Sequence, residues 1–152
     1  MVWIANALSR LAANPIIGYA AGAAPASEPT AIAALALMAH GQVDAAKPAI
    51  NFLLCNQSEP GSVGVCPSQP TPGWPTSFAV LAWNAHDRQL YDMQLRHAIE
   101  WILQTRGNSE KQSSDYGHDT QLVGWSWTEN THSWIEPNAI HVLALKATGQ
   151  SD

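Results

Sequence analysis

Four tryptophans, Trp74, Trp125, Trp127 and Trp134, fall in loops or at the starts of apolar segments. Indole faces placed there line apolar pockets and attract positive charge through their π-clouds, at ~0.5 to 2 kcal/mol per ring. Repeat packing is the competing use. It is expected for Trp74 and Trp127, as plugs of a core, whereas Trp125 and Trp134 suit either role. Glu136 directly follows the Trp-rich stretch, at the start of an apolar segment. A carboxyl held there against aromatic faces, away from water, keeps its proton to higher pH and acts as a general acid, with His132 close in sequence to assist. Glu28 is its twin ahead of Pro29, but Tyr19 is the one aromatic residue in the loop before it. Both carboxylates also have a plainer use, stabilising a helix N-terminus through the macrodipole. His118, Asp119, His132 and His141 lie near one another without recognisable ligand spacing, so neither a metal nor a cofactor is expected. His118 and His132 read as solvated loop residues and His141 as a hydrogen-bonded histidine on an apolar helix. His132 and His141 are also counted with the four tryptophans as candidate binding residues. No Gly-rich phosphate loop and no supported Ser-His-Asp arrangement is present.

The elements that must position these residues emerge from internal similarity. Glu28-Pro29-Thr30-Ala31 opens an apolar run that lines up with those opened by Trp74-Pro75-Thr76-Ser77 and Glu136-Pro137-Asn138-Ala139. Proline at a first helical position has no amide donor to waste and a preset φ, so each X-Pro marks a helix start. Gly41 and Gly149 stand where C-terminal caps belong. These three helices are apolar nearly all the way round, as helices surrounded by protein are. Between them Ala46, Ala49, Ile50, Leu53 and Leu95, Ala98, Ile99, Ile102 recur at helical spacing with polar opposite faces; Trp3, Ile4, Ala7, Leu8 and Leu11 form a further such stripe. The chain therefore reads outer, inner, outer, inner, outer, inner, with helices over 3–12, 30–40, 43–56, 75–85, 92–105 and 137–148. That order implies two helical layers of paired repeats. The repeat prolines are unevenly spaced, and the extra length falls in the polar stretch 107–122, read as an inserted loop.

The segment Phe52-Leu53-Leu54-Cys55-Asn56-Gln57-Ser58-Glu59-Pro60-Gly61-Ser62-Val63 resembles the QW repeat of squalene and oxidosqualene cyclases, with Val63 in place of the final Trp. The next outer helix repeats the start with Ala98, Trp101 and Ile102, puts Arg106 where Gln is usual, and regains the ending in Gly124-Trp125-Ser126-Trp127. Over roughly Ser27 to Gly149 the chain thus resembles the prenyltransferase and squalene-oxidase repeat superfamily. The resemblance implies an all-α, α/α-toroid-type domain of about three inner/outer helix pairs, a partial ring where the family has about six pairs. An outer-helix Gln is then expected to satisfy backbone groups of its neighbour while a Trp packs beside it. In class II cyclases of that superfamily the proton donor lies in Asp-x-Asp-Asp-Thr-Ala; aligned on Asn138-Ala139, Glu136 falls at the central position, with Trp134 and Pro137 where the outer aspartates would be. Glu28 falls at the same place one copy earlier. Zinc prenyltransferases of the same fold use Asp, Cys and His, but neither Cys55 nor Cys66 stands in an Asp-x-Cys arrangement. The resemblance therefore implies a terpenoid-cyclase-like or prenyltransferase-like domain for an apolar, isoprenoid-like small molecule, not catalytically complete on its own. The other reading is a non-catalytic toroid module that binds a lipid or a protein.

Composition sets the outer limits. At 152 residues and 46% hydrophobic content, the whole of 1–152 suits one domain with a real core. Charged residues make up 12%, against about 25% in an average soluble protein, so part of the surface is expected to be covered. Three helix pairs leave edges open, and the cover is expected to be a second copy or the remainder of a longer chain. A net charge of −5 with scattered Lys and Arg offers nothing to a phosphate backbone, so nucleic acid is not an expected partner. The longest dense apolar run, Ala31 to Ala39, is about half of the ~18 residues a membrane span needs. The N-terminus reads as part of the fold rather than a leader. Two cysteines make no disulfide framework, and a cytoplasmic setting is expected.

Overall fold

The computed structural model describes residues 2–115, 117 and 119–150, and the described residues form six α-helices and no strand. They are α1 (Val2–Ala13), α2 (Ser27–Ala39), α3 (Val43–Cys55), α4 (Thr76–Asp87), α5 (Asp92–Gln104) and α6 (Ile135–Ala147). Every expected helix is present, but α2 and α6 begin before their prolines. Extended backbone at Ala26 (φ −134°, ψ 151°) and Trp134 (φ −126°, ψ 149°) leads into them. The first four amides of a helix have no intrahelical acceptor, so Pro29 and Pro137 are tolerated anywhere in the opening turn and need not be its first residue. Only α4 starts directly at its proline, with Pro75 as N-cap. The glycine stops behave as expected. Gly41 and Gly149 take φ of 75° and 84°. Gln42 N–H and Gln150 N–H then reach back to the carbonyls of Leu37 and Leu145 at 2.9 Å each, the same cap at two inner-helix ends.

α2, α4 and α6 lie side by side with α4 in the middle, while α3 packs on α2 and α4, α5 on α4, and α1 on α2 and α3. Small residues make the row close. Ala31, Ala33, Ala34, Ala79 and Ala82 are buried between helices, around Leu37, Ile50, Leu53, Trp83 and Ile102. The expectation of helices covered on all sides holds for α4, where no residue from Thr76 to Trp83 is exposed. It fails for the flanking members of the row. Ile32 on α2 and Val142 and Leu143 on α6 are open to solvent, because nothing in the described chain lies beyond them.

The loops are held by one device used three times. Thr30 accepts from Ile17 N–H (3.1 Å) and donates to Ile17 C=O (3.0 Å). Thr76 accepts from Val63 N–H at 2.8 Å and donates to Gly73 C=O. Asn138 accepts from Trp125 N–H (3.2 Å) and donates to the carbonyls of Trp125 (3.0 Å) and Trp134 (2.6 Å). In each copy the residue two places after the aligned Glu or Trp clamps backbone 13 residues upstream. A side-chain hydroxyl or amide here satisfies loop backbone that would otherwise be buried unpaired. The QW-like turn ties outer helices together in the expected way: Gln57 Nε2 donates to Gly61 C=O (3.1 Å) and to Gln94 C=O of α5 (3.0 Å). The stretch 107–122 contains no helix among its described residues and folds back on itself, with Glu110 N–H on Thr120 C=O at 2.9 Å.

Candidate functional site

At the end of the molecule where α5 finishes, three loops meet. Pro72–Trp74, Thr105–Asn108 and Ser126–Asn130 enclose a cavity of about 290 Å³ whose apolar walls are Trp74, Trp101 and Trp127. Trp74 and Trp127 stand nearly at right angles (86°) with ring centres 4.7 Å apart, and Trp74 is braced from behind by Phe78 at 6.2 Å, also edge-on. Edge-to-face contacts of this kind fix ring orientation as well as contributing ~0.5 to 1.5 kcal/mol each. Trp101 is set by α5 and its indole lies against Gly73, where an added Cβ would come within 2.7 Å of its Cζ2. Glycine is required there for the loop to approach the indole. Arg106 and Glu129 complete the polar rim with Asn108.

The structure divides the candidates read from sequence. Trp74 and Trp127, expected to be core plugs, are half-buried pocket walls. Trp125 turns inward instead: it stacks on His141 at 5.1 Å and 24°, and its Nε1–H donates to Ile102 C=O at 2.8 Å. Arg106 lies 6.0 Å from the centre of the Trp125 ring, on its outer side. His141 is buried, its Nδ1–H donates to Pro137 C=O at 2.7 Å, and burial brings its pKa down to about 4, with the carbonyl opposing in part. A neutral core histidine is the result. Trp134 is the N-cap residue of α6, without a side-chain cap bond, and is 56% exposed.

Glu136 is exposed on the first turn of α6 and outside the cavity, so the chain itself does not supply the dry aromatic surroundings an acid catalyst would need. Glu28 is half-buried at the start of α2, remote from the tryptophans in sequence and next to Tyr19. Burial first, and then the Glu28 carboxylate that accepts from its hydroxyl, push the Tyr19 phenol well above its usual range. His132 is half-buried in the loop beside Asn108, and His118 lies outside the described residues. Among the described residues no group of His, Cys, Asp and Glu converges as metal ligands would, and no helix is long and apolar enough to cross a membrane.

Sequence reasoning passed over Trp101 and Arg106 as site residues because both had been absorbed into the QW-like pattern, and Glu129 because it sits in no pattern at all. Trp101 and Arg106 share a place at an element end, in the last turn of α5 and just past it, whereas Glu129 lies in the loop turn after Trp127. No family model, curated protein or solved structure matches the chain.

Proposed function

We propose that the chain is an arc of an α/α toroid that binds an apolar, isoprenoid-like small molecule without transforming it. The observation that carries this reading is the right-angled corner of Trp74 and Trp127, which with Trp101 forms the apolar side of a half-open cavity of about 290 Å³. That volume is near the lower end of small-molecule sites, ~300 Å³, and suits a short branched apolar segment rather than a whole polycyclic product. Two edge-on indoles present walls that a methyl-branched chain fills well, and their fixed orientation keeps the entropic cost of binding low. The two carboxylates aligned with the cyclase acid lie elsewhere, Glu136 in solvent and Glu28 against Tyr19, and the one carboxylate at the cavity, Glu129, is exposed on its rim rather than held away from water, which favours binding over the cyclase-like or prenyltransferase-like alternative.

Titration with farnesol, read by tryptophan fluorescence, tests the proposal. Trp127→Ala is expected to weaken binding at least about tenfold, since an indole wall is worth ~1.4 kcal/mol or more. Trp134→Ala, at an exposed position outside the cavity, should leave it unchanged. Equal loss in both variants, or no saturable signal in the parent, would count against the pocket. Incubation with squalene and with prenyl diphosphates should return them unchanged; a product lost on Glu136→Gln would instead establish the catalytic reading.

A further inference from the structure

The repeat supplies its own measure of what is missing. On the outer helices, positions Ile4, Ala7, Leu8 and Leu11 of α1 correspond to Ala46, Ala49, Ile50 and Leu53 of α3, all fully buried, and to Leu95, Ala98, Ile99 and Ile102 of α5, buried but for a half-buried Ile99. No residue of α1 is buried, and Ala7 is exposed. The cause is visible in the packing. α3 packs against two inner helices, α2 and α4, and α5 against α4 and the Trp125 loop, which bonds to Ile102, whereas α1 packs against α2 and α3 on one side only. On the inner helices, Val142 of α6 corresponds to Ala34 of α2 and Val80 of α4; those two are 0% exposed and Val142 is 51% exposed, with Leu143 open beside it. Among the described residues no inner helix covers the open side of α1, and no outer helix covers the open side of α6.

We propose that these two faces belong together, and that α6 of one copy of the chain docks along α1 of a second copy, head to tail. The receiving surface already has the shape of a trough, an open cavity of about 760 Å³ beside α1 that includes Ala7 and Leu11 of the stripe together with Arg10 and Gly18. The small, exposed side chain of Ala7 lets a helix approach closely. Charge agrees with the pairing. α2 and α3 are joined by a three-residue turn (His40–Gln42) and so run antiparallel, the arrangement an inner helix adopts against its outer neighbour. Continued to a second molecule, this brings the first turn of α6, which carries Glu136, to the last turn of α1, which carries Arg10. Arg10 is the one charged side chain on α1, so the seam holds one ion pair at that end, while Lys146 in the last turn of α6 meets no acidic residue of α1 at the other and must keep its ammonium in water. Glu136 thereby has a use that needs no catalysis, and the docking is independent of the tryptophan pocket.

A contact of this kind joins unlike faces, which sets it apart from a two-fold pairing of like faces. Light scattering with two variants at exposed positions reads the difference. The parent protein should have at least twice the chain mass. Ala7→Glu, which spoils only the α1 face, and Val142→Glu, which spoils only the α6 face, should each be monomeric with unchanged helical circular dichroism. Mixed in equal amounts they should form a dimer and nothing larger, because one sound α6 face then meets one sound α1 face. A monomeric parent overturns the proposal. So does a single variant that still assembles, or a mixture of two folded variants that stays monomeric.

Discussion

His141 stands where the two earlier copies of the inner helix have Ala33 and Ala79, and the exchange of a methyl for an imidazole gives Trp125 a ring to stack on. Because its pKa is brought down to about 4 from the usual 6.5, chiefly by burial, the unfolded chain binds the proton more readily than the folded one. Stability from this group is therefore full above pH 6.5 and is lost as pH falls through 6.5 towards 4, by an amount on the order of 3 kcal/mol at the acid end. Urea midpoints should fall between pH 7 and pH 4.5 by a larger margin in the parent than in His141→Phe, which keeps an aromatic ring against Trp125 but cannot titrate. A midpoint shift of the same size in both would show that other groups carry the acid sensitivity. At this scale the sequence was informative about chemistry and poor about direction. Helical spacing placed His141 on an apolar helix, hence in the core. Nothing in the spacing of Trp125 and Trp127 distinguished the ring that points inward from the one that lines a cavity, since loop residues follow no period.

Gly61 joins two outer helices. Its φ is 101°, and an added Cβ would lie 2.2 Å from the carbonyl oxygen of His97 in α5, so neither the backbone conformation nor the space allows a side chain. Gly61→Ala should cost on the order of 2 to 4 kcal/mol in chemical denaturation. Gly41→Ala has the same sign of φ (75°) but open space around it, and should cost about 1 kcal/mol. Equal costs would mean that the α3 turn yields to α5 without loss. Elements were the most legible part of the sequence. X-Pro starts, glycine stops and the stripes Ala46 to Leu53 and Leu95 to Ile102 each located a helix, because those signals act within one or two turns. The true starts of α2 and α6 lay upstream because proline restricts the opening turn without fixing its first residue. The threonine and asparagine clamps were not legible, since a side chain that bonds backbone 13 residues away leaves no periodic trace.

For the molecule as a whole, folding and association are linked if α1 completes its burial only against a second copy. The melting temperature should then rise with protein concentration, by about 3 to 5 °C per tenfold, whereas that of Val142→Glu should not move. A parent whose melting temperature is flat over two decades of concentration would separate folding from assembly. The pocket was hidden in the sequence for a related reason: Trp74 comes from one repeat and Trp101 and Trp127 from opposite ends of the next, and they meet only once the row of helices is assembled. The constant clamp distance also acts as a ruler laid along the chain. From Ile17 to Thr30, Val63 to Thr76 and Trp125 to Asn138 the count never changes, although the third copy carries a long extra stretch ahead of it. Length has accumulated before the ruler begins and nowhere inside it. Foreign sequence grafted into 109–121 would therefore ride outside the framework, while a single residue inserted between Trp125 and Asn138 would put the whole last copy out of step.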